Sequence, residues 1–151
     1  MSSLRQQALK LLARREHSRA ELAQKLSTAA SQEEIATVLD QLEQSGLLSD
    51  QRMAAAYLRS HAARFGLAKL RMNLRSKGVS EELIAQCLAE GEDGTYKESE
   101  GERALQVWRR KFTQAPADQK QWAQQARFLQ SRGFSSDIIR KLLKAVAEEA
   151  S

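Results

Sequence analysis

The sequence predicts an all-α protein made of three tandem three-helix repeats, and three observations carry that reading. Helix-forming Ala, Leu, Gln, Glu, Lys and Arg fill most of the 151 positions, with one proline (Pro116) and seven glycines to interrupt them. Apolar residues recur at three- and four-residue spacing in nine successive stretches. One fifteen-residue pattern occurs twice, with a weaker third copy.

In chain order, Leu4, Ala8, Leu11 and Leu12 define the first helix, Leu22 and Leu26 the second, and Ile35, Val38, Leu39 and Leu42 the third. Met53, Ala56 and Tyr57 mark a fourth, Leu67, Leu70 and Leu74 a fifth, and Val79, Leu83, Ile84 and Leu88 a sixth. Leu105, Trp108 and Phe112 mark the seventh, Trp122, Ala126 and Leu129 the eighth, and Ile138, Leu142 and Val146 the ninth. The starts are legible because a side-chain oxygen ahead of a helix accepts from an otherwise unpaired backbone N–H, and a Glu or Gln three residues on can reciprocate. Ser18 with Glu21, Ser31 with Glu34 and Asp118 with Gln121 fit that box, and Ser49, Ser80 and Ser135 fit the simpler N-cap. Gly46, Gly78 and Gly133 fall where a helix closes through a left-handed turn.

The repeated pattern runs Leu-Arg-Ser-Lys-Gly-Val-Ser from Leu74 and Leu-Gln-Ser-Arg-Gly-Phe-Ser from Leu129, each followed in register by Ile and Leu. Residues 22 to 39 form the degenerate copy, one residue out of step and without a glycine. The repeats are expected at residues 1–48, 49–91 and 95–149. Each is under the ~60 residues at which a domain becomes secure alone, so the repeats must lean on one another.

Charge is segregated within a net of +5. Residues 51 to 80 hold seven basic residues and no acid, whereas 81 to 102 hold eight acids against Lys97. Residues 103 to 147 hold ten basic residues against Asp118 and Asp137. Two basic segments thus flank an acidic one, read as a flexible join around Gly91, Gly94 and Gly101. Basic faces of this density attract phosphates or acidic protein surfaces at long range.

Enzymatic chemistry has no foothold. Cys87 stands alone and reads as a small core residue, and His17 and His61 lack partners at metal-ligand spacing. Neither a metal nor another cofactor is expected. Gly91-Glu92-Asp93-Gly94 lacks the lysine of a phosphate loop, and Glu16-His17-Ser18 cannot form a triad, because sequence neighbours do not face one another. No apolar run reaches the ~20 residues that span a bilayer, and the N-terminus lacks the apolar stretch of a secretory signal, so a cytoplasmic location without membrane attachment is expected. In Trp108-Arg109-Arg110-Lys111-Phe112 the two rings share one helix face and read as core, leaving the cations as the functional part.

Those residues, together with Leu11 to Leu22, Gly46-Leu47-Leu48-Ser49-Asp50, Lys77-Gly78-Val79 and Arg127 to Phe134, make the chain resemble the RecX family, bacterial regulators of the RecA recombinase. The likeness runs from about Leu4 to Val146; Tyr96 stands where that family often has Trp. The resemblance implies three tandem repeats in an elongated, curved arrangement, and a monomeric, non-enzymatic protein that binds RecA and its filament on single-stranded DNA. It further implies restraint of ATP hydrolysis, strand exchange and stimulated repressor cleavage, with a place in DNA repair and the SOS response. Weaker direct DNA binding would accompany it. By charge and motif position the contact residues are expected to be Arg64, Lys69, Arg71, Arg75, Lys77, Arg109, Arg110, Lys111, Arg127 and Arg132. Two other readings stay open: an independent helical DNA-binding protein, which would prefer particular duplex sites, and a scaffold for acidic proteins, which would not hold single-stranded DNA. On the filament reading, reversing Arg71 and Arg75 to Glu weakens binding to preformed filaments in a co-sedimentation assay and leaves helicity intact.

Overall fold

A computed structural model describes residues 3–90, 96 and 99–150. Those residues form nine helices and no strand: α1 (Leu4–Arg14), α2 (Arg19–Lys25), α3 (Gln32–Gln44), α4 (Asp50–His61), α5 (Leu67–Ser76), α6 (Glu81–Ala89), α7 (Glu100–Lys111), α8 (Gln119–Ser131) and α9 (Ser136–Ala150). They divide into two compact units, Met1–Tyr57 with Leu74–Cys87, and Leu58–Asn73 with Leu88–Ser151.

The helix starts follow the capping chemistry. Ser18 and Glu21 form the full reciprocal box, each backbone N–H donating to the other's side chain at 3.0 Å. At the other two expected boxes only the forward bond forms, from Glu34 N–H to Ser31 and from Gln121 N–H to Asp118. Glu34 instead accepts from the Ser31 hydroxyl, and Gln121 from the N–H of Ala117, one residue before the cap. Ser49, Ser80 and Ser135 accept from Arg52, Leu83 and Ile138 as N-caps. A further complete box, Ser3 with Gln6, opens α1 and was not anticipated from the sequence.

The acidic segment corrects the expectation of a flexible join along its whole length. Glu81 and Glu82 form the first turn of α6, and Glu100 and Glu102 the first turn of α7, where carboxylates complement the helix dipole. Ile84, Cys87 and Leu88 of α6 are buried, as is Glu100. The expected join at Gly91 and Gly94 lies outside the described residues, whereas Gly101 sits within α7.

The first unit encloses a core of Ala8, Leu22, Leu26, Ile35, Leu39, Leu42 and Leu48. Its most constrained feature is the start of α2. His17 is only 1% exposed, with Nδ1 3.0 Å from the Arg15 carbonyl oxygen and Nε2 2.9 Å from Lys25 Nζ. A carbonyl only accepts, so Nδ1 carries the proton and Nε2 takes the Lys25 ammonium as donor; the ring must be neutral. Burial accordingly lowers the His17 pKa, with the Arg15 and Lys25 charges adding to that and the Arg15 carbonyl opposing it. The Ser18 hydroxyl donates to the Lys77 carbonyl at 2.5 Å, and the Arg19 N–H donates to Asp50 Oδ1 at 2.8 Å. Burial raises the Glu21 pKa, but Arg15, the Ser18 N–H and Lys77 more than offset it, and the net shift is downward.

The second unit packs α7, α8 and α9 around Ala104, Val107, Trp108, Leu129, Phe134, Ile139, Leu142, Leu143 and Val146. Trp108 and Gln125 are hydrogen-bonded inside it. Trp108 Nε1–H donates to buried Gln125 Oε1 at 2.8 Å, and the Gln125 amide donates to the Gln114 carbonyl at 3.2 Å. Phe112 lies against Trp108 and meets Phe128 edge-on, with centroids 5.5 Å apart.

Two glycine turns do the same work, one in each unit. Gly78 (φ 83°) and Gly133 (φ 91°) close α5 and α8 with the paired bonds of a Schellman motif, Val79 N–H to Leu74 and Gly78 N–H to Arg75, then Phe134 N–H to Leu129 and Gly133 N–H to Gln130. The apolar residue after each glycine, Val79 or Phe134, is buried across the turn. Each turn then docks on a helix start. A Cβ at Gly78 would strike the Ala20 side chain near the start of α2, and one at Gly133 would strike the backbone and Cβ of Lys69 in α5. In the second unit Gly66 N–H donates to the Arg132 carbonyl (2.8 Å) and Ala68 N–H to the Gly133 carbonyl (3.2 Å). In the first, Ser18 Oγ–H supplies the equivalent bond to the Lys77 carbonyl. The α2–α3 connection has no glycine and no left-handed residue, and runs two residues longer than the other two, from Leu26 to Ser31.

Two measurements follow. Gly46 is also left-handed (φ 79°), but nothing lies within 4 Å of its added Cβ. Gly46→Ala should therefore cost only the backbone penalty of about 1–3 kcal/mol, and Gly133→Ala clearly more, by chemical denaturation of the two variants. For His17, whose folded pKa lies below the unfolded value of about 6.5, stability is complete above that pH and is lost as the pH falls through it toward the folded pKa. Tm should drop between pH 7.5 and 5.5, and His17→Gln should flatten that drop.

Candidate anion-binding cleft

The basic residues singled out from sequence separate into those already engaged and those that converge. In the first unit Arg75 pairs with Glu81 across an exposed surface, and Lys77 lies 3.6 Å from Glu21 and 5.9 Å from the Tyr57 ring centroid. The exposed Arg75–Glu81 pair contributes about 0–1 kcal/mol, yet both pairs neutralise their cations locally. Arg15, Arg19 and Arg52 are likewise matched, to Glu21, to Asp40 and Glu43, and to Glu16. A groove of about 450 Å³ beside α2 and α3 is lined by Ala20, Ala23, Ile35, Ala36 and Leu39, and its one cation, Arg19, is the doubly paired one.

The second unit is different. Arg64 from the α4–α5 turn, Arg110 and Lys111 from α7 and Arg132 from the end of α8 line one open cleft of about 270 Å³, with Val107 and Phe128 as its apolar wall. Among the described residues no acid lines it and none of the four cations has a carboxylate partner. Lys111 Nζ lies 5.6 Å and the Arg132 guanidinium carbon 5.1 Å from the Phe128 centroid, within cation–π range. Arg64 donates to the Ser60 carbonyl at 3.4 Å and lies 6.0 Å from the Phe65 ring.

Helical geometry explains the convergence. Val107, Arg110 and Lys111 stand at i, i+3 and i+4 on α7, and Phe128 and Arg132 at i and i+4 along α8 into its C-cap. The docking of the Arg132–Gly133 carbonyls onto Gly66 and Ala68 brings Arg64 to the same rim. Arg71, Arg109 and Arg127 are exposed and do not line the cleft; half-buried Lys69 lies under the Gly133 turn. Sequence reasoning singled out neither Phe128 nor Val107 as part of a site. Their spacing to Arg132, Arg110 and Lys111 was the available signal, but the partnership of the two helices with Arg64 was not readable from one strand of sequence.

The arrangement defines a tandem helical-repeat protein with a basic cleft and no assembled catalytic group among the described residues. Comparison with known proteins specifies it further. Models of the first, second and third three-helix domains of RecX match residues 5–42, 49–88 and 98–143, in that order. The regulatory protein RecX of Leptothrix cholodnii is 46% identical over 148 residues, covering 97% of this chain and 91% of its own length. That of Herbaspirillum seropedicae is 45% identical over 140 residues, covering 92% and 88%. The crystal structure of RecX from Lactobacillus salivarius superposes with a TM-score of 0.78 at 19% identity, over 95% of this chain and 94% of that one, which shows the shared fold. The chain belongs to the RecX family of regulatory proteins. No helix among the described residues is long and apolar enough to cross a membrane.

Proposed function

We propose that this protein binds the RecA recombinase and its filament on single-stranded DNA as a monomer in the cytoplasm, and restrains ATP hydrolysis, strand exchange and stimulated repressor cleavage. The observation that carries the reading is the match of all three RecX three-helix domains, in order, across most of the chain. The repeats, taken as residues 1–48, 49–91 and 95–149, offer many weak contacts in place of one pocket, a mode suited to an extended partner. Arg64, Arg110, Lys111 and Arg132 are the leading contact residues, since no intramolecular carboxylate competes for them among the described residues. Lys69, Arg71, Arg109 and Arg127 belong to the same unit but do not line the cleft. Arg75 and Lys77 would first have to leave Glu81 and Glu21.

The test is RecA-dependent ATP hydrolysis on single-stranded DNA at fixed salt, with the protein titrated in. Suppression well below one copy per RecA is expected. Arg110→Glu with Lys111→Glu should shift the half-maximal concentration upward by about tenfold or more, as expected for losing two desolvated charge contacts. Unchanged hydrolysis together with no binding to preformed filaments would overturn the reading.

A further inference from the structure

The cleft of the second unit is more selective than a basic patch. Four cations are gathered around an opening that also has a flat apolar wall, and its volume of about 270 Å³ lies near the lower edge of the ~300–1,000 Å³ typical of small-ligand sites. A lone carboxylate or inorganic phosphate would leave most of that space to water. Arginine forks match phosphate oxygens in bidentate geometry, and several cations together suit a group carrying more than one negative charge. Phe128 is held edge-on by Phe112 and has both Arg132 and Lys111 over its ring, so a planar group whose phosphates draw Lys111 away meets an aromatic ring and a guanidinium plane to stack on. Among the described residues no neutral polar side chain lines the cleft, so none of them offers the amide or hydroxyl contacts that read a peptide backbone.

We propose that this cleft binds a nucleoside phosphate, its phosphates held by Arg64, Arg110 and Lys111 and its base resting against Phe128 and Arg132. The ligand is either a free nucleotide or one nucleotide of a single strand, since both carry the same chemistry. The inference concerns the isolated chain and does not depend on RecA as the partner.

The test uses the full chain without RecA, with ATP titrated by calorimetry at constant low ionic strength. Inorganic triphosphate, an oligothymidylate and poly-glutamate serve as competitors. Saturable one-to-one ATP binding is expected, with triphosphate weaker by about fivefold or more, the difference made by base stacking. Phe128→Leu should lower ATP affinity to the triphosphate level and leave triphosphate unchanged. Arg110→Glu with Lys111→Glu should weaken both by at least about tenfold, and Arg132→Gln provides a milder second variant should the double reversal unfold by circular dichroism. Displacement of ATP by oligothymidylate identifies a strand nucleotide as an occupant; ATP binding undisturbed by the oligonucleotide identifies the free nucleotide. Absence of saturable ATP binding, equal affinity for ATP and triphosphate, equal displacement by poly-glutamate, or insensitivity to the cleft variants would each overturn the proposal. Because RecA is absent, that failure is separate from any failure in filament regulation.

Discussion

The docking of a glycine-closed helix end onto the start of another helix is the constraint on which much else depends. A helix ends with carbonyls that lack intrahelical donors and begins with N–H groups that lack acceptors. In the second unit the Arg132 and Gly133 carbonyls meet the Gly66 and Ala68 N–H groups, so one helix's deficit satisfies another's. The negative pole of α8 thereby faces the positive pole of α5. In the first unit Lys77 and Ser18 form the same junction, with a cap hydroxyl where Gly66 uses its backbone. Each contact needs a left-handed residue without a side chain, which is why the glycine recurs in two of the three copies.

The junction also sets where the cations of the cleft stand. Arg132 carries both an accepting carbonyl at the turn and a guanidinium over Phe128, and Arg64 lies two residues before the donor Gly66. Fixing the backbone therefore fixes two of the four cations of the cleft, while α7 supplies the other two. Holding four like charges together opposes folding through mutual repulsion. The Phe128 ring offsets part of that cost, and an anionic ligand would offset more.

Arg140 and Lys141 of the second unit pair with Asp137, but the four cations of its cleft have no carboxylate partner among the described residues. In the first unit Arg15, Arg19, Arg52, Arg75 and Lys77 are paired with Glu or Asp. His17 belongs to the same network as a neutral acceptor, and its burial makes acid pH a local stress on α2. Near-balanced charge in the first fifty residues and the large basic excess after residue 102 are the sequence-level trace of this difference.

Helices, caps and glycine turns were legible in the sequence because each is set by residues within four or five positions of one another. The twofold Leu-x-Ser-basic-Gly pattern disclosed the repeats for the same reason, and the acid-free stretches disclosed where positive charge would gather. His17 looked like a stray histidine because the Lys25 ammonium that gives it a role comes a full helix away. Ten cations looked equivalent by charge and motif, yet packing paired Arg75 and Lys77 with carboxylates and aimed Arg64, Arg110, Lys111 and Arg132 at one cleft. Local hydrogen bonding and hydrophobic period act along the chain and leave their mark in it. Which side chains meet across helices depends on where turns far apart in sequence dock, and only the tertiary structure decides that.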